Sequence, residues 1–210
     1  MKREFLFVLL AVAMFVCSCT EPSPEGPVPD DEPDEPVVEA KYKAGEYYKQ
    51  GLAEGIIAYV DESGEHGTLI SMDEGYEQWS TDYIMLIVQG GEFSRENGER
   101  NTKYIKSQEN WEELYPAVVW CDNKNALGLS SWYLPAPAEL ANAALNIEAI
   151  NATLVEKGCE PIAMGVNDAY WSSEEFGVQG AYSISFATGD FADYGHDKKA
   201  YNRVRAMRKF

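Results

Sequence analysis

Trp132-Tyr-Leu-Pro-Ala-Pro-Ala-Glu-Leu140 joins an aromatic run to the start of a helix. Proline fits the first turn of a helix, where its missing N–H costs no intrahelical bond, and Glu139 places negative charge where the helix dipole favours it. The Ala- and Leu-rich stretch Pro137 to Ile147 therefore predicts a helix. A second helical piece, Ile150–Lys157, is stopped by Gly158, and upstream Asn101 to Cys121 reads as helix with an interruption near Pro116.

Strand signals lie on both sides of this helical middle. Gly55–Val60 and Thr68–Met72 are β-rich runs separated by the turn-forming Asp61–Gly67, so a hairpin is expected. Residues 73–100 read mostly as loop, with Ile84–Val88 as one short strand. Ala181–Phe186 alternates, with Tyr182, Ile184 and Phe186 on one face and Ser183 and Ser185 on the other. Tyr201 to Phe210 reads as a closing strand. Its alternation puts Val204, Ala206 and Phe210 on the core and Arg203 and Arg205 on the opposite face, with a bulge or twist near Met207 and Arg208. A hairpin, a helical middle and a β-rich end predict an α+β domain rather than a doubly wound sheet.

Three segments in order carry a resemblance: Trp132–Leu140, Tyr170-Trp-Ser-Ser-Glu-Glu175 and Val204-Arg-Ala-Met-Arg-Lys-Phe210. They resemble the W-x-L-P, YWSS and VR-A-(V/M)-R motifs of a bacterial C-type-lectin-like domain. That domain occurs in Bacteroidetes lipoproteins and at the end of Legionella collagen-like adhesins. The resemblance covers most of residues 41–210. It implies two helices flanking a small twisted antiparallel sheet, with the final strand paired to the N-terminal one. It also implies that Trp132, Leu134, Tyr170 and Trp171 are core residues and that Ser172 and Ser173 satisfy backbone groups at a turn. Glu139 would cap its helix, or pair with Arg205 or Arg208.

The chemistry usual in such folds is not written here. Calcium-dependent sugar sites use Glu-Pro-Asn or Gln-Pro-Asp with Trp-Asn-Asp, whereas Glu160-Pro161 is followed by Ile162 and Trp171 by Ser172. Asp190, Asp193 and Asp197 lack EF-hand spacing and read as a solvated loop. Formylglycine-generating enzymes, which share a related fold, need a C-terminal cysteine pair, and no Cys follows Cys159. His66 and His196, both in expected turns, lack zinc-site spacing. Nothing singles out a nucleophile elbow or a pair of catalytic carboxylates. No cofactor or metal is expected. Cys121 and Cys159 either form the domain's one disulfide or remain two free thiols.

The N-terminus speaks to location. Met1-Lys2-Arg3 and the apolar run Phe5–Val16 form a signal peptide too short to span a membrane. Val16-Cys17-Ser18-Cys19 resembles a bacterial lipobox, making residues 1–18 the signal peptide and Cys19 the lipidated residue. Acyl chains hold a polar domain to a bilayer at roughly 0.8 kcal/mol per buried methylene. Residues 20–40 hold six Pro and eight Asp or Glu with no Lys or Arg. Such a composition builds no core and extends, so 19–40 is read as a tether of roughly 60 Å at ~3.1 Å per residue. Its acidic start also resembles the surface-export signals of Bacteroidetes lipoproteins, which implies an outer-membrane protein facing outward.

The formal charge is −18, and most of it remains in residues 41–210. An acidic domain repels phosphate backbones, so nucleic acid is not an expected partner. Membrane contact is expected through the N-terminal lipid. The preferred expectation is a non-catalytic surface lipoprotein that binds a glycan or a protein, with Trp79, Tyr83, Trp120 and Tyr194 as aromatic candidates near loops. Core packing is the competing reading for each of these. The alternatives are an enzyme acting on polysaccharide or peptidoglycan, and a structural subunit of a surface complex or pilus.

Overall fold

The computed structural model describes residues 40–86, 92–125, 131–187 and 194–210. The signal peptide, Cys19 and nearly all of the tether lie outside them, as do Asp190 and Asp193. The described chain is mixed α+β. A meander comes first, β1 (Tyr47–Gln50), β2 (Ala53–Val60) and β3 (Gly67–Ile70), followed by β4 (Gly75–Gln78), which belongs to the other sheet. Five helices follow: α1 (Gly98–Lys106), α2 (Trp111–Leu114), α3 (Pro116–Asp122), α4 (Pro137–Ala144) and α5 (Ile147–Glu156). The last third holds β5 (Tyr170–Phe176), β6 (Gly180–Ile184), β7 (Tyr194–Asp197), β8 (Tyr201–Val204) and β9 (Met207–Lys209).

The strands form two sheets, ordered β1-β2-β3-β9 and β4-β8-β5-β6-β7. Adjacent strands pair antiparallel except β5 and β8, which meet in parallel at Tyr170 and Arg203. The expected hairpin is β2–β3. The expected helix 101–121 is three short helices, broken after Lys106 as well as before Pro116, and Ile84–Leu86 form no strand. Residues 87 and 88 lie outside the described set.

The strands β2, β3 and β5 bury side chains on both faces, and the sequence shows why. Side chains alternate along a strand, and adjacent apolar residues divide between two core clusters. Ile57, Leu69, Trp132, Trp171 and Ala206 join Ile105, Val118 and Cys121 of α1 and α3. Their neighbours Ile56, Ile70, Tyr133, Tyr170 and Met207 join Leu140, Ile150 and Leu154 of α4 and α5. The helices α1–α3 thus serve one core and α4–α5 the other. Trp132, Leu134, Tyr170 and Trp171 are core residues, as expected.

Glu139 ties the two helical groups together. Its Oε2 accepts from the N–H groups of Ala136 (2.8 Å) and Gly98 (3.0 Å), and its Oε1 accepts from the Tyr133 hydroxyl (2.7 Å). One carboxylate therefore satisfies backbone donors at the starts of α4 and α1, while burial pushes its pKa up. It caps rather than pairing with Arg205 or Arg208. The approach requires glycine: a Cβ on Gly98 would lie 2.5 Å from the Leu134 carbonyl oxygen. Ser172 and Ser173 sit within β5, not in a turn. Ser173 Oγ accepts from the buried Asn101 side chain at 2.9 Å.

The C-terminal run departs from expectation. It is two strands in different sheets, β8 against β4 and β9 against β3. The crossing at Arg205 and Ala206 is stitched by Ser71, whose N–H donates to the Ala206 carbonyl (2.8 Å) and whose Oγ accepts from the Ala206 N–H (3.1 Å). The final strand closes on the N-terminal meander at its third strand rather than its first, leaving β1 at the sheet edge. Val204, Ala206 and Met207 are buried, but so is Arg205, at 1% exposure. Its guanidinium donates to the carbonyls of Ser71 (3.0 Å), Met72 (3.1 Å) and Glu160 (2.7 Å) and to Glu74 (3.2 Å). The change of sheet rotates the chain, so a single alternation does not run through 201–210.

Cys121 and Cys159 are both free thiols. No bridge joins them because they belong to different cores: Cys121 is fully buried in the first, and Cys159 packs at the rim of the second. Burial pushes the Cys121 thiol well up, which suppresses the reactive thiolate. Native labelling with iodoacetamide and peptide mapping should find Cys159 modified and Cys121 protected until the chain is unfolded. Mass loss of two protons with neither thiol labelled would instead establish a bridge.

Candidate functional site

The outward face of the β4–β8 pair carries the most exposed aromatic grouping on the described surface. Gly75 lies opposite Val204, Tyr76 opposite Arg203, and Gln78 opposite Tyr201. Opposed residues share a face and alternate along each strand. Gly75 and Val204 therefore face the core, while Tyr76, Gln78, Tyr201 and Arg203 face outward together. Gly75 is required on the inner side, since a Cβ there would come within 2.6 Å of the Trp120 ring. The Tyr76 and Tyr201 rings are 63% and 53% exposed. Their centroids lie 5.8 Å apart with 26° between the planes.

The polar members of this face are fixed in place. The Gln78 amide donates to the Lys199 carbonyl at 2.7 Å. Arg203 donates from Nε to Asp168 at 2.9 Å and from Nη1 to Glu74. Glu74 in turn accepts from the Tyr170 hydroxyl (2.7 Å) and from Arg205. With both oxygens engaged by three donors, this carboxylate orients Arg203. Beside Arg203 opens a cleft of about 620 Å³, lined by Met72, Glu74, Glu160, Pro161 and Ala163.

At the other end, next to Gln78, the turn after β7 continues the surface. Tyr83 is 39% exposed, and its hydroxyl donates to Asp197 at 3.0 Å. That hydrogen bond raises the Tyr83 pKa. Lys199 lies 4.3 Å over the Tyr83 ring and pairs with Asp82 at 3.4 Å. Asp197 also accepts from the Lys199 N–H at 2.8 Å, which gives this member of the acidic run a structural role.

Of the aromatic candidates from sequence, Tyr83 lies on this surface and Trp79 does not. Trp79 is a core residue, 1% exposed, with its indole N–H donating to the Ser172 carbonyl at 2.9 Å. Tyr115 meets it edge-on at 5.6 Å and the Lys198 ammonium sits 4.9 Å over its ring, so it can stack on no ligand. Trp120 is half-buried under the β4–β8 pair, with Lys124 at 4.0 Å over its ring. Tyr194 opens β7 opposite Ser183; its side chain lies outside the described set. Tyr76 was missed because the run around β4 read as loop, and Tyr201 because it read only as the start of the closing strand.

One hydroxyl–imidazole pair was also missed: Ser183 Oγ bonds His196 Nδ1. His196 sits in β7 rather than a turn, and burial lowers its pKa. Ser183 is buried, so this contact joins β6 to β7 and offers no nucleophile to a substrate. Among the described residues no group of three His, Cys, Asp or Glu side chains is placed to hold a metal, and no helix is long and apolar enough to cross a membrane.

The fold has a counterpart among solved structures. The chain is similar to a fimbrial protein from Bacteroides ovatus ATCC 8483, with a TM-score of 0.54 and 17% identity over 69% of this chain. It spans 36% of that protein's length. The likeness is one of fold. No protein-family model and no curated protein matches the chain.

Proposed function

We propose that this chain is a surface-anchored lipoprotein whose folded part recognises a ligand and performs no chemistry on it. The observation that carries the reading is the outward β4–β8 face: exposed aromatics on a hydrogen-bonded strand pair, flanked by fixed polar side chains and a cleft. Such a surface suits binding. The carboxylate nearest it, Glu74, is engaged by two guanidinium groups and a phenol rather than standing ready as a catalytic acid or base.

The surface location rests on the lipobox-like Val16–Cys19 and the acidic, Pro-rich tether. It is supported by the fold shared with a fimbrial protein, which also favours a role as a subunit or accessory of a surface fibre. For the fold we retain the C-type-lectin-like assignment, supported by the three motifs.

Replacing Cys19 tests the anchor. Cys19→Ser should abolish incorporation of radiolabelled palmitate and release the protein from the membrane fraction. Trypsin added to intact cells should remove the wild-type domain. Palmitate still entering the variant, or full protection of the wild type on intact cells, would defeat the reading.

A further inference from the structure

We propose that the outward β4–β8 face is a saccharide-binding site for neutral glycans, with Tyr76 and Tyr201 stacking on sugar rings and Gln78 and Arg203 hydrogen-bonding their hydroxyls. The proposal rests on the reading of the domain as a recognition module and names its ligand class.

Three features select this occupant. The first is amphipathic matching. The Tyr76 and Tyr201 rings stack near-parallel on one another, and the two residues, 63% and 53% exposed, leave the outside of this ring pair open as an apolar surface with hydroxyl tips. A pyranose presents the complement, an apolar C–H face edged by hydroxyls, so stacking buries apolar area while every hydroxyl stays near water or a polar partner.

The second is pre-organisation. Gln78 is tied to Lys199 through its amide nitrogen, and Arg203 is held through Nε and Nη1. The Gln78 carbonyl and the remaining Arg203 nitrogen stay available as one acceptor and one donor group on the same face. Side chains already held in place lose little further freedom on binding, and planar groups suit paired hydroxyls.

The third is charge and size. Arg203 is compensated by both Glu74 and Asp168, and Lys199 by Asp82. The face therefore offers no uncompensated cation to a sulfated or uronic glycan, and the acidic chain repels such a ligand. Two rings and two polar side chains match one or two sugar units.

The test uses the full chain purified in detergent and titrated with neutral hexasaccharides of glucose, xylose, mannose and galactose. A polygalacturonic hexasaccharide serves as the charged comparison. At least one neutral sugar should bind, and the charged one should not. Tyr76→Ala and Tyr201→Ala should each weaken binding about tenfold or more, and Tyr76→Phe should retain it, because the ring supplies the stacking. Circular dichroism of the variants should match the wild type, since both rings lie outside the core. No neutral sugar binding below about 10 mM would overturn the assignment, as would binding unchanged by either alanine variant. Sedimentation gives the competing outcome: self-association lost in Tyr76→Ala would make this face a contact between copies of the chain. Palmitate labelling and trypsin accessibility read the surface anchoring separately, so failure of one conclusion leaves the other standing.

Discussion

A chain ending at Ala200 does not fold. The deletion removes β8 and β9, and with them a strand from each sheet: among the described strands β8 lies between β4 and β5, and β9 is the outer strand beside β3. Val204, Ala206 and Met207, all fully buried, leave both cores at once. A large buried apolar side chain contributes roughly 1.5–3 kcal/mol, against a total stability of ~5–15 kcal/mol. The deletion also strips ladder partners from β3, β4 and Tyr133 and removes Arg205 from three carbonyls and Glu74. Buried backbone groups without partners add roughly 1–3 kcal/mol each. The expected result is a polypeptide with no cooperative thermal transition and no near-ultraviolet circular dichroism. A truncated protein that stays monomeric and melts near the full-length temperature would place 201–210 outside the core and contradict both sheets.

The parts of this fold legible in the sequence are those set by local chemistry. Pro137 and Glu139 marked the start of α4 because capping and dipole effects act within one turn. The hairpin β2–β3 was visible because its turn residues lie next to its strands. Long-range pairing left no such mark. Tyr76-Glu-Gln78 is too short and polar to read as a strand until Tyr201–Val204 is laid beside it, 121 residues from Gln78 to Lys199 along the chain. The outward β4–β8 face was hidden for that reason. Trp79 carried both readings, core and ligand contact, for the same one: it follows β4 directly, and the three-dimensional course, which sends it inward against Tyr115 and Lys198, decides for the core. Arg205 shows the opposite limit. Its charge argued for the surface, yet the sheet crossing supplies three backbone acceptors and a carboxylate, which is what a buried guanidinium requires. A run of ten residues with period-two alternation held two strands, because nothing local records where a chain leaves one sheet for another.

The second large effect lies beneath Trp79. Lys198→Ala is expected to destabilise the domain by about 3–5 kcal/mol. The Lys198 ammonium and the Glu175 carboxylate are in contact, and both side chains are 0% exposed. The ammonium also donates to the Ile84 carbonyl at 2.8 Å, and Glu175 Oε1 accepts from the Leu86 N–H at 3.1 Å. This cluster pins the segment after Tyr83 to the β5–β6–β7 part of the larger sheet. Burial alone lowers the Lys198 pKa, and the bond to Glu175 opposes that shift. Removing the ammonium takes an ion-pair partner from a carboxylate that is itself fully buried. The cost is therefore set by the burial of the remaining charge, not by the modest net value of the pair. In a domain of this size the loss corresponds to roughly 6–20 °C in melting temperature. The double variant Lys198→Met with Glu175→Gln separates the two causes. It removes both charges, nearly keeps the volumes and leaves an amide oxygen for the Leu86 N–H, so it should recover much of the stability lost in Lys198→Ala. Urea denaturation of the three proteins reads the difference directly. A loss below about 1 kcal/mol in Lys198→Ala, the range of exposed ion pairs, would mean that water reaches this pair and that the region under Trp79 is open.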